Sequence, residues 1–353
     1  PGTETCLRVG GRVRVEAVAN NFADDGVWGN RERNDINFRA RGYVYLDSRT
    51  NTEFGLLRTY TSMYMTQDSD NLEGSRADGD LAAAGGESFF LEAAYIQWGG
   101  LTVGRTTSFF QIFTGQAFMG VVTRDWSDVT TNLFAYTAAF GNGFSATVAL
   151  EDATFRQTPR VAYAGQNWPD IVANIRVDQG WGSAQVMGAL HNVRPANASK
   201  AGNLGWAIGG GVIINLPMLS PDSNIAFQAQ YADGALSYMG NAAGIPDYNN
   251  IDGSGTSDTN TGLSLSGGIY HQATSTIGLA LDGSWADYDV SQSDPGEEQI
   301  PNGSRWAIDG SVQWEPVSGF AMGVDMGYAN RDFDNFDGPE DEIKAGIRFQ
   351  RTF

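Results

Sequence analysis

Apolar and polar residues alternate with a period of two along most of this chain. Near its start, Leu7, Val9 and Val13 alternate with Arg8 and Arg12. The same alternation recurs in residues 36–46, 171–178, 206–214, 277–285, 306–314, 320–328 and 343–350. Each of these segments is predicted to be a β-strand with one apolar face and one polar face.

The connections between these strands alternate between short and long. The short connections are Ser48–Glu53, Gly99–Gly100, Gly141–Gly143, Gln179–Gly182, Pro217–Asn224, His271–Ser275 and Glu315–Gly319. The long, polar connections are Asn20–Asn30, Gln67–Gly86, Thr106–Thr130, Asp152–Gln166, Asn192–Asn203, Ala232–Asn260, Asp287–Gly303 and Ala329–Asp341. Short turns on one side and long loops on the other predict an all-β fold, a 16-stranded antiparallel transmembrane β-barrel.

Two further features favour a membrane barrel over a β-sandwich. The strands are predicted to be about ten residues long, whereas sandwich strands usually have about five or six. Several apolar faces also end in an aromatic residue at the short-turn side, as a membrane girdle requires: Trp98, Phe144, Trp314 and Phe320.

Composition excludes several other classes of protein. The formal net charge is −19, which argues against a nucleic-acid partner because a polyanion needs a basic surface. Aromatic residues make up 12% of the chain, too many for an intrinsically disordered protein. The uncharged stretch 204–219 is interrupted by glycines and a proline, so a membrane-spanning helix is not expected. We expect residues 1–353 to form a single barrel domain.

Arginines concentrate near the start of the chain, on the polar faces of the first predicted strands. We predict a pore-lining basic strip of Arg8, Arg12, Arg14, Arg39, Arg41, Arg58 and Arg105. Arginine rather than lysine suits fixed, stacked geometry, which favours a basic ladder on the wall of a water-filled pore. The alternative is structural: arginines paired with Glu16, Asp35 and carboxylates of the lumen.

The third long loop, residues 106–130, is unusually aromatic for a surface loop. Its predicted anchors are Phe109, Phe110, Phe113 and Phe118, and its predicted constriction acids are Asp125 and Asp128. In one interpretation the rings pack against the barrel wall and the two acids point at the arginines. In the other, the loop lies outside and folds over a neighbouring subunit.

Acidic residues are dense in the long loops, which places most of the negative charge at one end of the barrel. Asp332, Asp334 and Asp337 form a weak calcium candidate, because hard cations bind several nearby carboxylates. Their spacing does not match an EF-hand, and solvated loop charge is the favoured interpretation. No cofactor is expected, apart from a structural calcium ion if these three acids bind one.

Signals of an enzyme are sparse. The histidines, His191 and His271, lie far apart without a nearby carboxylate–serine pattern, and no G-x-S-x-G motif occurs. Residues 141–146 imitate part of a dinucleotide-binding fingerprint, but a strand rather than a helix is predicted to follow them. We therefore do not expect an enzyme.

Five sequence patches resemble the alphaproteobacterial general porin family. They are PGTETCLRVGG at the start, GGLTVG at 99–104, FTG at 113–115, GNGFSATVALE at 141–151 and FQRTF at the end. The resemblance implies a sixteen-stranded trimeric outer-membrane channel whose third long loop folds into the lumen, and it favours the first interpretation of that loop. The terminal Phe353 resembles the assembly signal of outer-membrane barrels, although Arg351 stands where many such signals carry an apolar residue.

The lone cysteine, Cys6, allows more than one interpretation. It indicates either a partner beyond this sequence or a free thiol, and an inert buried thiol is the simplest alternative. No charged-then-apolar leader precedes it, so we expect a mature or trimmed chain. The family resemblance implies a preceding segment with a second cysteine, which would be its disulfide partner.

These observations together predict a bacterial outer-membrane porin that allows passive diffusion of small hydrophilic solutes and ions. Its expected partners are outer-membrane lipid, lipopolysaccharide and two further copies of the chain, with no nucleic acid. Two alternatives stay open: a solute-specific channel for sugars or anions, and a secreted acidic β-rich adhesin or lectin. Sixteen exposed apolar stripes argue against the secreted protein.

Overall fold

The computed structural model describes residues 5–24, 26–31, 33–69, 86–158, 161–197, 202–248, 258–291, 302–334 and 340–353. Within them, sixteen antiparallel strands form one closed barrel. The first eight are β1 (Thr5–Ala19), β2 (Ile36–Thr52), β3 (Gly55–Asp68), β4 (Gly86–Trp98), β5 (Leu101–Thr107), β6 (Thr130–Gly141), β7 (Phe144–Glu151) and β8 (Asp170–Gln179). The others are β9 (Gly182–Val193), β10 (Asn203–Asn215), β11 (Asn224–Asp233), β12 (Thr261–Gln272), β13 (Ile277–Asp289), β14 (Gly303–Val317), β15 (Phe320–Phe333) and β16 (Asp341–Thr352). The predicted fold class is therefore confirmed.

Helical structure is limited to two short 3-10 turns, Ala153–Arg156 and Leu236–Met239, in the residues that the structure describes. In the same residues, no helix is both long and apolar enough to cross a membrane.

The barrel closes by pairing its first strand with its last. β1 and β16 pair antiparallel from Arg12 opposite Thr352 to Ala19 opposite Ala345. The terminal Phe353 extends this pairing, because its N–H donates to the carbonyl oxygen of Gly11 at 3.0 Å. A closed sheet has no free edge, so its backbone groups are paired between strands as a hydrocarbon environment requires.

Short turns lie at one end of the barrel and long loops at the other, as predicted. The turn between β6 and β7 consists of Asn142 and Gly143, with φ of 50° and 79°. Two central residues with positive φ form the tight hairpin turn that matches the twist of the strands. Three predicted turns begin too early: residues 48–52 belong to β2, residues 271–272 to β12 and residues 315–317 to β14.

Strand alternation separates two surfaces. Large apolar side chains such as Phe38, Met65, Phe134 and Ile175 are exposed on the outer face. Their strand neighbours of opposite phase face the lumen and are mostly polar or charged. The aromatic residues predicted at the short-turn end include Trp98, Phe144 and Trp314, which are exposed. An apolar outside and a polar inside indicate a barrel surrounded by lipid.

Candidate functional site

The predicted basic strip forms one continuous surface on the lumen side of β1, β2 and β3. Arg12 pairs with Tyr43 across β1 and β2, and Arg14 pairs with Arg41. Residues paired in register share one face of a sheet, so these side chains lie next to one another. Arg8, Arg12, Arg14, Arg39, Arg41 and Arg58 all lie on this inward face.

The upper part of the strip, towards the long loops, surrounds one glutamate. Glu16 is buried and pairs in register with Arg39 on β2 and with Arg348 on β16. Nε of Arg14 lies 3.2 Å from Glu16 Oε1, and Nε of Arg348 donates to the same oxygen. Arg39 forms a bidentate pair with Asp68, with N–O distances of 2.8 and 3.0 Å. The alternative interpretation, in which the predicted arginines are ion-paired, therefore applies to Arg14 and Arg39.

The middle of the strip stacks on tyrosines. The guanidinium of Arg12 lies 4.0 Å from the centroid of the Tyr43 ring, and that of Arg41 lies 4.3 Å from Tyr64. Arg41 also donates to Thr66 Oγ1 at 2.8 Å and to the Tyr43 hydroxyl at 3.2 Å. Contacts between a guanidinium and an aromatic face fix the arginine in one geometry without neutralising its charge.

The lower part of the strip, towards the short turns, centres on Asp47. Arg58 forms a bidentate pair with Asp47 at 2.9 and 3.1 Å, and Arg49 binds the same carboxylate at 2.8 Å. Arg8 lies opposite Asp47 in the register of β1 and β2 and is exposed. Three arginines and one aspartate leave this end of the lumen wall positive.

Arg105 does not belong to the basic strip, so this part of the prediction is wrong. It pairs in register with Asn132, in phase with the outward-facing Phe134 on β6. Its Nε donates to the carbonyl oxygen of Leu91 at 2.8 Å, and its guanidinium lies 4.7 Å from the Phe155 ring. Alternation within β5 already places Arg105 on the face that carries Leu101 and Val103.

Two arginines of this surface were missed by the sequence analysis. Arg49 fell inside a predicted turn, but β2 extends through it. Arg348 lies on the polar face of β16, and the closure of the barrel brings it beside Glu16 on β1. In both segments the alternation of apolar and polar residues indicated that these arginines face the lumen. It did not determine where β2 ends or how β1 pairs with β16.

The third long loop, residues 108–129, lies inside the barrel and is attached to carboxylates of the opposite wall. Asp282 on β13 accepts hydrogen bonds from the backbone N–H groups of Gln116 at 2.6 Å and Ala117 at 2.7 Å. Asp325 on β15 likewise accepts from Met119 at 2.7 Å and Gly120 at 3.1 Å. Hydrogen bonds to a charged acceptor are stronger than neutral ones, so these are firm attachments.

Asp309 on β14, the strand between those of Asp282 and Asp325, and Arg124 of the loop complete the attachment. Asp309 Oδ2 accepts from the N–H of Val122 at 3.2 Å. Arg124 Nε lies 2.8 Å from Asp282 Oδ1, and its Nη1 lies 3.6 Å from Asp309 Oδ2. The loop thereby covers the acids of β13, β14 and β15 and leaves the basic strip on the other side of the lumen uncovered.

Glycines in the wall make room for the loop. A Cβ atom at Gly323 would lie 2.6 Å from the Phe118 ring, and one at Gly327 would lie 2.7 Å from the Val122 side chain. Gly209, Gly211, Gly268 and Gly346 are similarly close to loop side chains. At these glycines the side chains of the loop lie directly against the strand backbone.

The four predicted phenylalanine anchors lie within this packing. Phe110 is fully buried against Tyr238, with ring centroids 5.0 Å apart, and Phe113 is buried against Trp126 at 5.3 Å. The backbone of Phe109 donates to Glu151 Oε1 and accepts from Asn174 Nδ2. Phe118 donates its N–H to Ser311 Oγ, and its carbonyl oxygen accepts from Arg348. This last contact joins the tip of the loop to the basic strip.

Asp125 does not point at the basic strip, contrary to the prediction. It is fully buried, and Oδ2 accepts a hydrogen bond from Arg305 on β14 at 2.9 Å. Its Oδ1 accepts from the Tyr288 hydroxyl and from the N–H of Ala242, each at 2.7 Å. Its own N–H donates to Ser284 Oγ at 2.8 Å. The side chain fixes the returning half of the loop instead of facing the pore.

Asp128, the other predicted constriction acid, is exposed. Its carboxylate bonds to Gln111, whose carbonyl oxygen accepts from Gln185 on β9 at 3.1 Å. It therefore lies on the side of the loop that faces β9, and among the described residues it forms no ion pair with the basic strip.

A second inward-folded loop, of which residues 234–248 and 258–260 are described, packs on the third long loop. The sequence analysis missed this packing. The 3-10 turn of this loop buries Leu236, Tyr238 and Met239 completely. A Cβ atom at Gly240, where φ is 107°, would lie 2.2 Å from the backbone nitrogen of Trp126. The clustering of apolar and small residues in this loop is the signal that could have indicated its burial.

A buried histidine holds this second loop to the wall. His191 Nδ1 lies 2.7 Å from Asp170 Oδ2 on β8, and its Nε2 lies 3.6 Å from Asp247 Oδ2 in the loop. Tyr238 donates to Asp170 at 2.7 Å, and Tyr163 donates to Asp247 at 2.5 Å. His191 is thus a structural residue of the loop packing.

The remaining candidate residues lie apart from the lumen site. Asp332 and Asp334 are exposed, and Asp337 lies outside the described residues. Within those residues, no cluster of three or more metal-binding side chains occurs. Cys6 is exposed, so the expectation of a buried thiol is wrong.

A serine–histidine pair was missed because His271 was predicted to lie in a turn. His271 is in β12, and its Nδ1 lies 3.0 Å from Ser223 Oγ. Ser223 is 1% exposed and its hydroxyl also bonds to Ser220 at 2.5 Å. The buried hydroxyl of Ser223 thereby joins the beginning of β11 to the end of β12.

A closed barrel with an apolar exterior, a polar lumen and an inner loop attached to one wall defines a membrane channel. Comparison with known proteins agrees with this class. The family described as "Porin subfamily" matches residues 1–350. Porin Omp2b of Brucella suis biovar 1 and of Brucella abortus (strain 2308) are each 30% identical over 370 residues, covering 100% of this chain and 86% of those proteins.

Solved structures show the same fold. The outer membrane channel DcaP of Acinetobacter baumannii superposes with a TM-score of 0.76 at 18% identity, over 99% of this chain and 97% of that one. The anion-selective porin from Comamonas acidovorans gives a TM-score of 0.60 at 13% identity, over 99% and 100%.

The chain belongs to this porin family. It forms an outer-membrane channel for passive diffusion, and its location is the bacterial outer membrane. The secreted adhesin or lectin is thereby set aside.

Proposed function

We propose that the narrowest part of the channel lies between the third long loop and the basic strip, and that small hydrophilic solutes and ions pass there. The loop is attached to β13, β14 and β15, so the free passage runs along β1, β2 and β3. We further propose that three copies form the working assembly in a membrane of lipid and lipopolysaccharide.

The arrangement of charge carries this proposal. The upper and middle strip holds Arg12, Arg14, Arg39, Arg41 and Arg348 against three acids, Glu16, Asp68 and Glu92, the last of which accepts from Ser62. On the opposite wall, Asp282, Asp309 and Asp325 are buried under the loop. The constriction is therefore positive on its solvent-facing side although the whole chain carries a net charge of −19.

Two electrostatic regions would act in series on a passing ion. Acidic outer loops concentrate cations at the mouth, where salt screens charges beyond a Debye length of about 8 Å at physiological ionic strength. The confined arginines attract anions and are screened less. We expect weak overall cation selectivity at low salt, and raising the salt concentration should reduce the cation preference first.

Planar-bilayer recordings in a potassium chloride gradient test this assignment. The double variant Arg12→Gln with Arg14→Gln should move the reversal potential towards cation selectivity, because two lumen-facing charges are lost. Arg105→Gln removes one arginine charge from the outer face and should leave the reversal potential unchanged. An unchanged reversal potential in the folded double variant would overturn the proposed role of the strip.

The oligomeric proposal has its own test. Light scattering of the detergent-solubilised protein, corrected for bound detergent, should give three times the mass of one 37.9 kDa chain. A single-chain mass would contradict the trimer without affecting the conductance result.

A further inference from the structure

Four residues form one row across the lumen wall, and three of them are aromatic. Arg12 on β1 is in register with Tyr43 on β2, Tyr43 with Tyr64 on β3, and Tyr64 with Phe90 on β4. The ring centroids of Tyr43 and Tyr64 are 5.0 Å apart, and those of Tyr64 and Phe90 are 5.1 Å apart. With strands about 4.8 Å apart, the row is about 14 Å long.

The end of this row is an exposed apolar ring inside the barrel. Phe90 is 43% exposed and is stacked on Tyr64 with an interplanar angle of 28°. Its register with Tyr64 places it on the lumen face, while its neighbours Phe89 and Leu91 face outwards. Lumen faces of such barrels are polar, so this phenylalanine, stacked at the end of a row of tyrosines, offers passing solutes an aromatic surface on an otherwise polar wall.

The other end of the row is cationic. Nε of Arg12 has no hydrogen-bond partner in the part of the chain that the structure describes, and its guanidinium rests on Tyr43. Arg41 lies beside the middle of the row, 4.3 Å from the Tyr64 ring. Arg41 thus brings a positive charge close to the aromatic end of the row, within reach of a small aromatic carboxylate, and Arg12 adds a second charge farther along the row.

We propose that this row, Arg12–Tyr43–Tyr64–Phe90, is a subsite for aromatic carboxylates passing through the channel. The proposal rests on the proposed function, in which solutes pass along this wall. The solute ring stacks on Phe90 and Tyr64, and its carboxylate lies towards Arg12 and Arg41. A saturated ring of the same size and charge is attracted equally by the arginines but does not stack. The interaction is weak enough for the solute to leave, as conduction requires.

Bi-ionic reversal potentials test the discrimination. The purified protein is placed in planar bilayers with potassium chloride on one side and either potassium benzoate or potassium cyclohexanecarboxylate on the other. Benzoate should be about two- to tenfold more permeant than cyclohexanecarboxylate, the range that one aromatic contact provides. The two anions have the same charge and about the same size, so their permeability ratio measures the contribution of aromatic stacking alone.

Two variants assign the effect to the row. Phe90→Leu keeps an apolar side chain but removes the ring, and should bring the benzoate preference close to one. Arg12→Gln should lower the permeability of both carboxylates together. Phe89→Leu, an identical change on the lipid face of the same strand, is the control and should keep the preference of the parent.

The outcomes separate this inference from the proposed function. Equal permeability of the two carboxylates in a parent channel that conducts chloride would overturn the subsite alone. Retention of the full benzoate preference in folded Phe90→Leu would also overturn it. No chloride conductance in any preparation would contradict the pore itself. Heat-dependent mobility on gels establishes that each variant is folded before it is measured.

Discussion

Arg305 Nη1 lies 2.9 Å from Asp125 Oδ2, and both side chains are almost completely buried. This ion pair joins the returning half of the third long loop to β14. Since Asp125 also accepts from Ala242, it connects two inward-folded loops to one strand. An acid that the sequence suggested for the pore surface is instead the attachment point of the structures that narrow the pore.

Asp125→Asn should destabilise the folded protein by about 3 kcal/mol, because it leaves the buried Arg305 with the more distant carboxylate of Glu342, at 4.0 Å, as its remaining ion-pair partner among the described residues. The measurement is the free energy of unfolding in detergent, together with the current noise of single channels, which should increase as the loop loosens. Asp128→Asn, the same change at an exposed position of the same loop, should shift stability by less than about 0.5 kcal/mol. Equal effects of the two variants would contradict the structural role of Asp125.

Replacing residues 109–128 by a short glycine–serine linker should enlarge the pore and change its selectivity. The strands keep their ladder hydrogen bonds, while Asp282, Asp309 and Asp325 become exposed to the lumen. Single-channel conductance should rise, and the reversal potential should move towards cations. Changing the three aspartates to asparagine in the deletion background should reverse the shift in selectivity but not the rise in conductance. A conductance like that of the parent in the folded deletion variant would show that the loop does not narrow the pore.

Gly327→Val should displace the third loop without disrupting the barrel. The added side chain would meet Val122 and Asp309 Oδ2, each 2.7 Å from the position of the new Cβ. Valine is favourable in strands, so the expected effect is a change in conductance with little change in strand content. Gly42→Val is the control, since nothing lies within 4 Å of a Cβ at Gly42. A normal conductance for Gly327→Val would contradict direct packing of loop on strand.

Alkaline pH should weaken the packing of the second inward loop. Burial, followed by the nearby Asp247, raises the pKa of Tyr248 to about 12 from its ordinary value of 10. The folded state therefore holds this proton more tightly than the unfolded state, so its stability contribution is complete below pH 10 and is lost between pH 10 and 12. The loss should be roughly 2–3 kcal/mol. Melting temperatures at pH 9 and 11.5 should differ less in Tyr248→Phe than in the parent, and an equal difference would refute this assignment.

The sequence predicts the barrel because alternation is a local property of each strand. Leu7, Val9 and Val13 are outward and Arg12 is inward for reasons contained in a few adjacent residues. The number of strands and the alternation of short turns with long loops follow from the same pattern, whereas the residues at which the strands end do not. The inward position of the basic strip follows too, apart from Arg105, where the alternation of β5 was not applied.

The interior of the lumen could not be predicted in the same way. The partners of Asp125 are Arg305, Tyr288 and Ala242, all more than a hundred residues away. Their proximity depends on the path of two loops, and loop paths carry no periodic signal. The neutralisation of Arg39 by Asp68, and of Arg348 by Glu16, likewise depends on strand register, which alternation leaves undetermined.

The attachment of the third long loop through backbone N–H groups has a consequence for how such channels diversify. The donors to Asp282, Asp309 and Asp325 are main-chain atoms of residues 116, 117, 119, 120 and 122. Every amino acid except proline supplies that donor. The side chains at positions such as 116, 117 and 119 can therefore be exchanged while these backbone anchors persist, whereas Arg124 and Asp125 attach the loop through their side chains. Natural drift or a designed library can thus vary part of the pore lining on an unchanged scaffold.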